Sequence, residues 1–311
     1  MPKPKVAFLW DESFLWGLMA YKNFKALGVD AGIVTSNDIR EGVLERCDIL
    51  FVPGGWSSDK SEALGKEGCD AVRGFVSSGG SYVGFCGGAG LALSTEGGLS
   101  LTRVTRVPTK HRVPSFSGEI ELGVEDTGHP LWSGVAPPYC FHAWWPGQFK
   151  IAKGDDVRVV ARYGAPGKDF YIADLAELDV EIYDDGWSHW EEEYGINLNP
   201  TRLMGEPAII ETSYGKGNVL LSNLHLETPG CVKGNRALLN MMGYLMPSER
   251  KRAKSARAGK KGEIYPVGLK AIRAAEDMMD AVHHFIRFGE RNFLWYWRNP
   301  WLLQWRRGVR G

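Results

Sequence analysis

Gly79-Gly80-Ser81-Tyr82-Val83-Gly84-Phe85-Cys86-Gly87-Gly88-Ala89-Gly90 is the stretch on which the reading of this chain turns. Its first half is a short apolar run behind a Gly-Gly stop, the signature of a buried strand. Its second half, Gly84-Phe-Cys86-Gly-Gly88, has the G-x-nucleophile-x-G form of a strand–turn–helix elbow. Small residues flank the nucleophile there because the turn is strained and any larger neighbour would clash. The helix N-terminus that follows favours thiolate over thiol, which is the nucleophilic form of cysteine.

Working outward, the preceding residues repeat one theme. Lys5 to Trp10, Ala31 to Val34 and Ile49 to Val52 are short apolar runs, and each reads as a strand. Between them, Phe14 to Leu27 carries apolar residues at helical spacing and stops at Gly28. A second helix is expected from about residue 61 to Ser77. Strands alternating with helices imply a parallel sheet covered on both faces, built by right-handed crossovers. From about Leu101 to Pro207 the pattern loosens, with strands expected only at 118–122 and 157–163. Regularity returns with 208–213 and 218–222 around a Gly215-Lys-Gly217 turn, then a helix from Lys233 to Leu245.

Ligands in such a sheet sit beyond the carboxyl ends of the strands. Pro53-Gly54-Gly55 ends the third strand and can bring backbone N–H groups to a bound carbonyl. An N–H of Gly54 or Gly55, with that of Gly87, would form an oxyanion hole. His225-Leu226-Glu227 lies just past the last strand. In an extended segment residues two apart share a side, so Glu227 can orient the imidazole that Cys86 needs.

The motifs Gly84-Phe-Cys-Gly-Gly-Ala89, Pro53-Gly-Gly55 and His225-Leu-Glu227, in this order, resemble class I glutamine amidotransferase-like proteins. Within that superfamily, Phe51 to Gly55 and Gly79 to Gly90 look most like the N-terminal domain of biotin–protein ligases. The resemblance spans about residues 5 to 247 and is strongest from Ile49 to Leu93. It implies a flavodoxin-like, doubly wound, mostly parallel α/β sheet with a Cys86-His225-Glu227 triad and an oxyanion hole at Gly55 and Gly87. Glutaminases of this class place a substrate-binding Gln after the nucleophile, whereas this chain has Gly88-Ala89-Gly90; glutamine is therefore not the expected substrate. No biotin-transferring domain is expected after residue 247.

The remaining readings are broader. Glu12 is a candidate near Cys86, although Asp11 or Ser13 would more simply cap the next helix. Trp56, His142 and Trp144 are candidates to line the pocket, and His189-Trp190 is a similar polar–aromatic pair. No ligand spacing supports a metal site, and no cofactor is implied. The five cysteines are scattered and odd in number, which argues against a disulfide framework or zinc site. With no long apolar segment or signal-peptide core, a cytoplasmic protein is expected.

Residues 1–248 read as one domain and 249–311 as a basic linker with an amphipathic, Trp-rich helical tail. From Arg250 onward there are 15 basic against 5 acidic residues, while the preceding part has 22 against 32. The tail suits contact with a sister subunit or protein partner through 263–311, or more weakly a membrane surface; nucleic acid is not favoured. The function expected is a cysteine-dependent amidase or hydrolase acting on a small amide or acyl substrate. The alternative is a non-catalytic binding or regulatory module with the same fold.

Overall fold

The computed structural model describes residues 5–245 except 168, 174 and 177–185. The first half runs β1 (Val6–Leu9), α1 (Phe14–Ala26), β2 (Ala31–Val34), α2 (Ser36–Arg40), β3 (Ile49–Val52), α3 (Ser57–Ser77), β4 (Ser81–Phe85) and α4 (Gly87–Ala92). β1, β3 and β4 are buried at every residue, which is why they read as continuous apolar runs. α1 ends as expected: Gly28 takes a left-handed φ of 68°, and the Val29 N–H closes back on Phe24 O at 2.9 Å.

Two helices differ from expectation. α2 is started by Thr35, whose N–H and side chain exchange hydrogen bonds with Asp38 in a capping box. It is too short to show a helical period. α3 begins at Ser57, four residues early, because its first turn is polar and bears no apolar stripe.

The second half continues with β5 (Thr105–Arg106), β6 (Phe116–Gly123), β7 (Cys140–Trp144), β8 (Phe149–Lys150), β9 (Arg158–Pro166), β10 (Tyr171–Ile172) and β11 (Leu175–Ala176). It closes with α5 (Trp187–Tyr194), β12 (Pro207–Tyr214), β13 (Gly217–Ser222) and α6 (Val232–Tyr244). One sheet runs through both halves in the order β11-β10-β6-β9-β12-β13-β4-β3-β1-β2, with β7 on the side of β6. From β13 to β2 every pairing is parallel. This is the doubly wound centre, with the 2-1-3-4 strand order of flavodoxin-like folds. From β13 to β11 every pairing is antiparallel.

The middle segment is thus more ordered than its sequence suggests. It is an antiparallel extension whose pattern is broken by register shifts between β9 and β12 and between β6 and β9. The β12–β13 hairpin turns at Gly215, where φ is 61°, as its Gly-Lys-Gly sequence implies.

Alternation along the parallel strands fills both faces. Phe8, Phe51 and Phe85 point to one side and stack in series, with ring centroids 5.3 and 5.1 Å apart. Leu50, Val52 and Tyr82 point to the other side against α3 residues Leu64 and Val72. The same parallel direction brings the ends of β1, β3, β4 and β13 to one edge. Among the described residues, no helix is long and apolar enough to cross a membrane. The tail, 249–311, and the boundary at 248 lie outside the described residues.

Candidate active site

Cys86 leaves β4 with φ 49° and ψ −106°, a left-handed conformation that costs a non-glycine residue. The strain is held by backbone: Cys86 N–H donates to Ser222 O at 2.8 Å, and Gly90 N–H donates to Cys86 O at 2.9 Å. A Cβ on Gly88 would collide with Val52 O, and one on Gly84 would strike the Gly88 carbonyl. The elbow therefore needs its glycines for steric reasons, as the motif implies.

The loop after β3 closes on the elbow just as tightly. Gly55 has φ 115°, and a Cβ there would run into the Glu12 carbonyl. A Cβ on Gly87 would run into the Gly55 carbonyl. These two loops touch backbone to backbone only because both residues are glycine. Among the described residues, the N–H groups of Gly55 and Gly87 have no acceptor. Gly54 differs: a Cβ there would press on Trp16 and sit 3.1 Å from His225 Cε1, so it makes room for the imidazole.

His225 and Glu227 are both fully buried, with Nδ1 and Oε1 2.7 Å apart. The carboxylate can only accept, so Nδ1 carries the proton and Nε2 faces the cysteine side. The pair is not built on an extended segment. Residues 225–228 form a turn closed by Thr228 N–H to His225 O at 3.2 Å, and Glu227 curls back onto the ring. His225 N–H also donates to His142 O at 2.9 Å, which ties the turn to β7.

Burial works against a charged imidazole, but Glu227 and Cys86 outweigh it and raise the His225 pKa to about 10. Nε2 itself has no hydrogen-bond partner at normal geometry, and the Cys86 thiol instead donates to Trp144 O at 3.5 Å.

A cleft of about 70 Å³ opens over Cys86. Gly55, Gly87, Trp56 and Trp144 line it, and the two indoles are half-exposed at its mouth. His142 does not reach it. It lines a separate cavity with Cys140 and Cys231, further along the same face of β7.

Glu12 lies at the end of β1 with φ 54°, and its carbonyl rather than its side chain meets Gly55. The expected caps of α1 are employed elsewhere. Asp11 accepts the Ser36 N–H at the start of α2, and the Ser13 hydroxyl donates to Leu9 O.

Three cations near Cys86 were not singled out by the sequence. Lys60 is fully buried, with Nζ 2.7 Å from Ser13 Oγ and 3.0 Å from Asp11 O. Burial lowers its pKa to about 7, against the pull of Glu12, Asp11 and Cys86. Arg106 and Arg112 line the cleft. Burial lowers the pKa of both, that of Arg112 to about 10, and the Cys86 thiolate opposes the shift in each. One signal was available for Lys60: a lone lysine within the first turn of the helix that follows Pro-Gly-Gly. None marks the arginines, which sit where no motif exists.

The strand order and the strand–turn–helix elbow give the chain a fold similar to that of glutamine amidotransferase-like proteins. Residues 30–95 match the family model described as the N-terminal domain of biotin-protein ligase. Among solved structures, PurLQS from Thermotoga maritima aligns with a TM-score of 0.53 at 16% identity, covering 78% of this chain and 100% of that one. A protein described as a GMP synthase subunit from Thermoplasma acidophilum aligns at 0.49 and 16% identity, covering 82% and 100%. A ThuA-like protein from Bacteroides uniformis aligns at 0.46 and 14%, covering 79% and 93%. No curated protein matches the chain in sequence.

Proposed function

We propose that the chain is a cysteine-dependent amidase or hydrolase that acts through Cys86, His225 and Glu227. The observation that carries this reading is the fully buried His225–Glu227 pair at 2.7 Å beside a strained cysteine elbow. A buried ion pair is costly to desolvate, and orienting a catalytic imidazole is the use that repays it here.

The Cys86 thiolate would attack the carbonyl carbon of an amide. The carbonyl π electrons move to oxygen, where the Gly55 and Gly87 N–H groups receive them. The tetrahedral centre then collapses, the C–N bond breaks, and His225 Nε2 gives its proton to the departing amine. This leaves a thioester and a neutral imidazole. Water attacks the thioester as His225 takes one of its protons, and the acid departs with restoration of the thiolate–imidazolium pair. The substrate in this scheme is a small amide or acyl compound.

The test is site-resolved alkylation of the full chain with iodoacetamide, for wild type, Cys86→Ser and His225→Ala. Fast labelling at Cys86, slowed in His225→Ala, is expected. Labelling no faster than at Cys47 and indifferent to His225 would overturn the mechanism. A second reading, a binding module that retains the fold, is favoured by one contact: the thiol is bonded to Trp144 O rather than to His225. The same experiment separates the two.

A further inference from the structure

The cleft beside Cys86 is lined by two arginines, each with a buried N–H that has nothing to donate to. Arg106 Nε and Arg112 Nε, on two side chains that line the cleft, are buried without a hydrogen-bond partner at normal geometry among the described residues. Such atoms are rare in folded proteins, and two cationic ones beside one cleft call for a ligand of the opposite character. Neither arginine pairs with a carboxylate among the described residues. Arg106 bonds only the neutral Ser57 hydroxyl, at 2.9 Å.

Gly147 shows where the two guanidinium groups converge, with an amide oxygen beside them. A Cβ built on it would lie 3.6 Å from Asn223 Oδ1, 3.7 Å from Arg106 Nε and 3.8 Å from Arg112 Nη1. The backbone of Gly147 is not left-handed, so the residue is not required for conformation. Its effect is to leave space among two guanidinium groups and an amide. Indole rings of Trp56, Trp144 and Trp145 form the remaining wall, and no acidic side chain lines the cleft.

We infer that Arg106 and Arg112 form a carboxylate-binding subsite, and that the acyl group presented to Cys86 carries a carboxylate but no ammonium. A guanidinium fork matches a planar carboxylate and not a point charge. A zwitterionic amino acid would place its ammonium against two arginines with no acid to receive it, a like-charge cost that selects against it. Arg106 and Arg112 are substrate-binding residues in this scheme, which rests on Cys86 as nucleophile only in saying what the bound anion is held for.

The experiment compares two alkylating reagents of similar size at Cys86 in the full chain: iodoacetate, an anion, and iodoacetamide, which is neutral. Their rate ratio reports the local field at the sulfur whatever the absolute rates are. A cationic cleft concentrates the anion, so the iodoacetate-to-iodoacetamide ratio should fall about tenfold or more in Arg106→Gln and Arg112→Gln. Arg112→Lys should retain part of the preference, and Gly147→Ala, whose methyl enters the cradle at ordinary contact distance, should lower it. Lys66→Gln, on a side chain 86% exposed and remote from the cleft, controls for overall charge and should leave the ratio unchanged. Protection of Cys86 from iodoacetamide by succinamate, but not by propionamide or glutamine, should follow the same pattern.

Fast labelling with a ratio equal to that of Arg112→Gln would remove the subsite and leave the nucleophile standing. Slow labelling with a raised ratio would keep the subsite and remove the nucleophile. Slow labelling with an unraised ratio would remove both. Protection by glutamine equal to that by succinamate would overturn the exclusion of ammonium.

Discussion

The parallel and antiparallel halves of the sheet meet at β13, and they contribute to the cleft in different ways. The parallel half supplies backbone. Its elbow and its glycine loop are packed so closely that Gly55, Gly87 and Gly88 have no room for a methyl group. The rest of the chain supplies side chains: Arg106 from β5, which pairs with β8 in a separate two-stranded sheet, Arg112 from the loop that follows, and Trp144 and Trp145 at the end of β7. His225 lies at the junction, on the loop after β13, and is tied by its N–H to β7 of the antiparallel half. On the proposed function, the backbone of the parallel half would set what chemistry is possible at Cys86 and the side chains opposite would set what reaches it. Variants in the two halves should therefore fail differently.

The largest effect belongs to the junction. His225→Ala should slow alkylation of Cys86 by iodoacetamide and iodoacetate alike, by about 10²–10⁴-fold, the range associated with a positioned acid–base group. Arg112→Gln should instead change only their ratio. Rate constants from site-resolved mass spectrometry decide this, and a ratio change in His225→Ala matching that of Arg112→Gln would erase the distinction between the halves.

Next comes the charge of the imidazole. With Glu227 in place, the His225 pKa stands near 10, so the pair's contribution to stability is complete below pH 6.5 and is lost as pH rises through about 10. Glu227→Gln removes the main attraction and leaves burial, which disfavours the cation. The titration midpoint should then fall below the ordinary 6.5, as followed by the ring carbon resonances in NMR. A midpoint that stays near 10 would show that Cys86 alone sustains the imidazolium.

Glycines offer a third comparison. Gly87→Ala places a methyl against the Gly55 carbonyl, inside a loop whose own conformation is fixed, and should cost about 3 kcal/mol in urea unfolding. Gly123→Ala, at the end of β6 with open space around it, should stay within about 0.5 kcal/mol. Equal costs at the two sites would mean that the parallel half relaxes around the elbow.

The same contrast explains what the sequence reveals. Steric necessity leaves a local trace: Gly84-Phe-Cys-Gly-Gly88 and Pro53-Gly-Gly55 can be read because each glycine answers to a neighbour a few residues away or to a fixed backbone. Buried strands leave a trace too, since Ile49–Val52 and Ser81–Phe85 are apolar on both faces. Arg106 and Arg112 leave none. What makes them part of a site is Gly147, Asn223 and Cys86, brought close by pairings that skip along the chain, such as β5 with β8, where Arg106 stands opposite Phe149. The turn at 225–228 is an intermediate case. The pairing of His225 with Glu227 follows from their spacing, but the backbone that achieves it is a turn rather than a strand, and only Thr228 and His142 decide that.

The smallest expected effect is at the mouth. Trp144 is 41% exposed, and it is its carbonyl, not its indole, that receives the Cys86 thiol. Trp144→Ala keeps that hydrogen bond and removes only a wall of the cleft. Stability should change by less than about 1 kcal/mol. Labelling of Cys86 by neutral iodoacetamide should become faster, by no more than about fivefold, the rate equivalent of about 1 kcal/mol. The preference for iodoacetate should weaken slightly as water reaches the arginines and screens them. Slower labelling in Trp144→Ala would mean that the indole holds β7, and with it His225, in place. The antiparallel half would then position the catalytic pair as well as select what it meets.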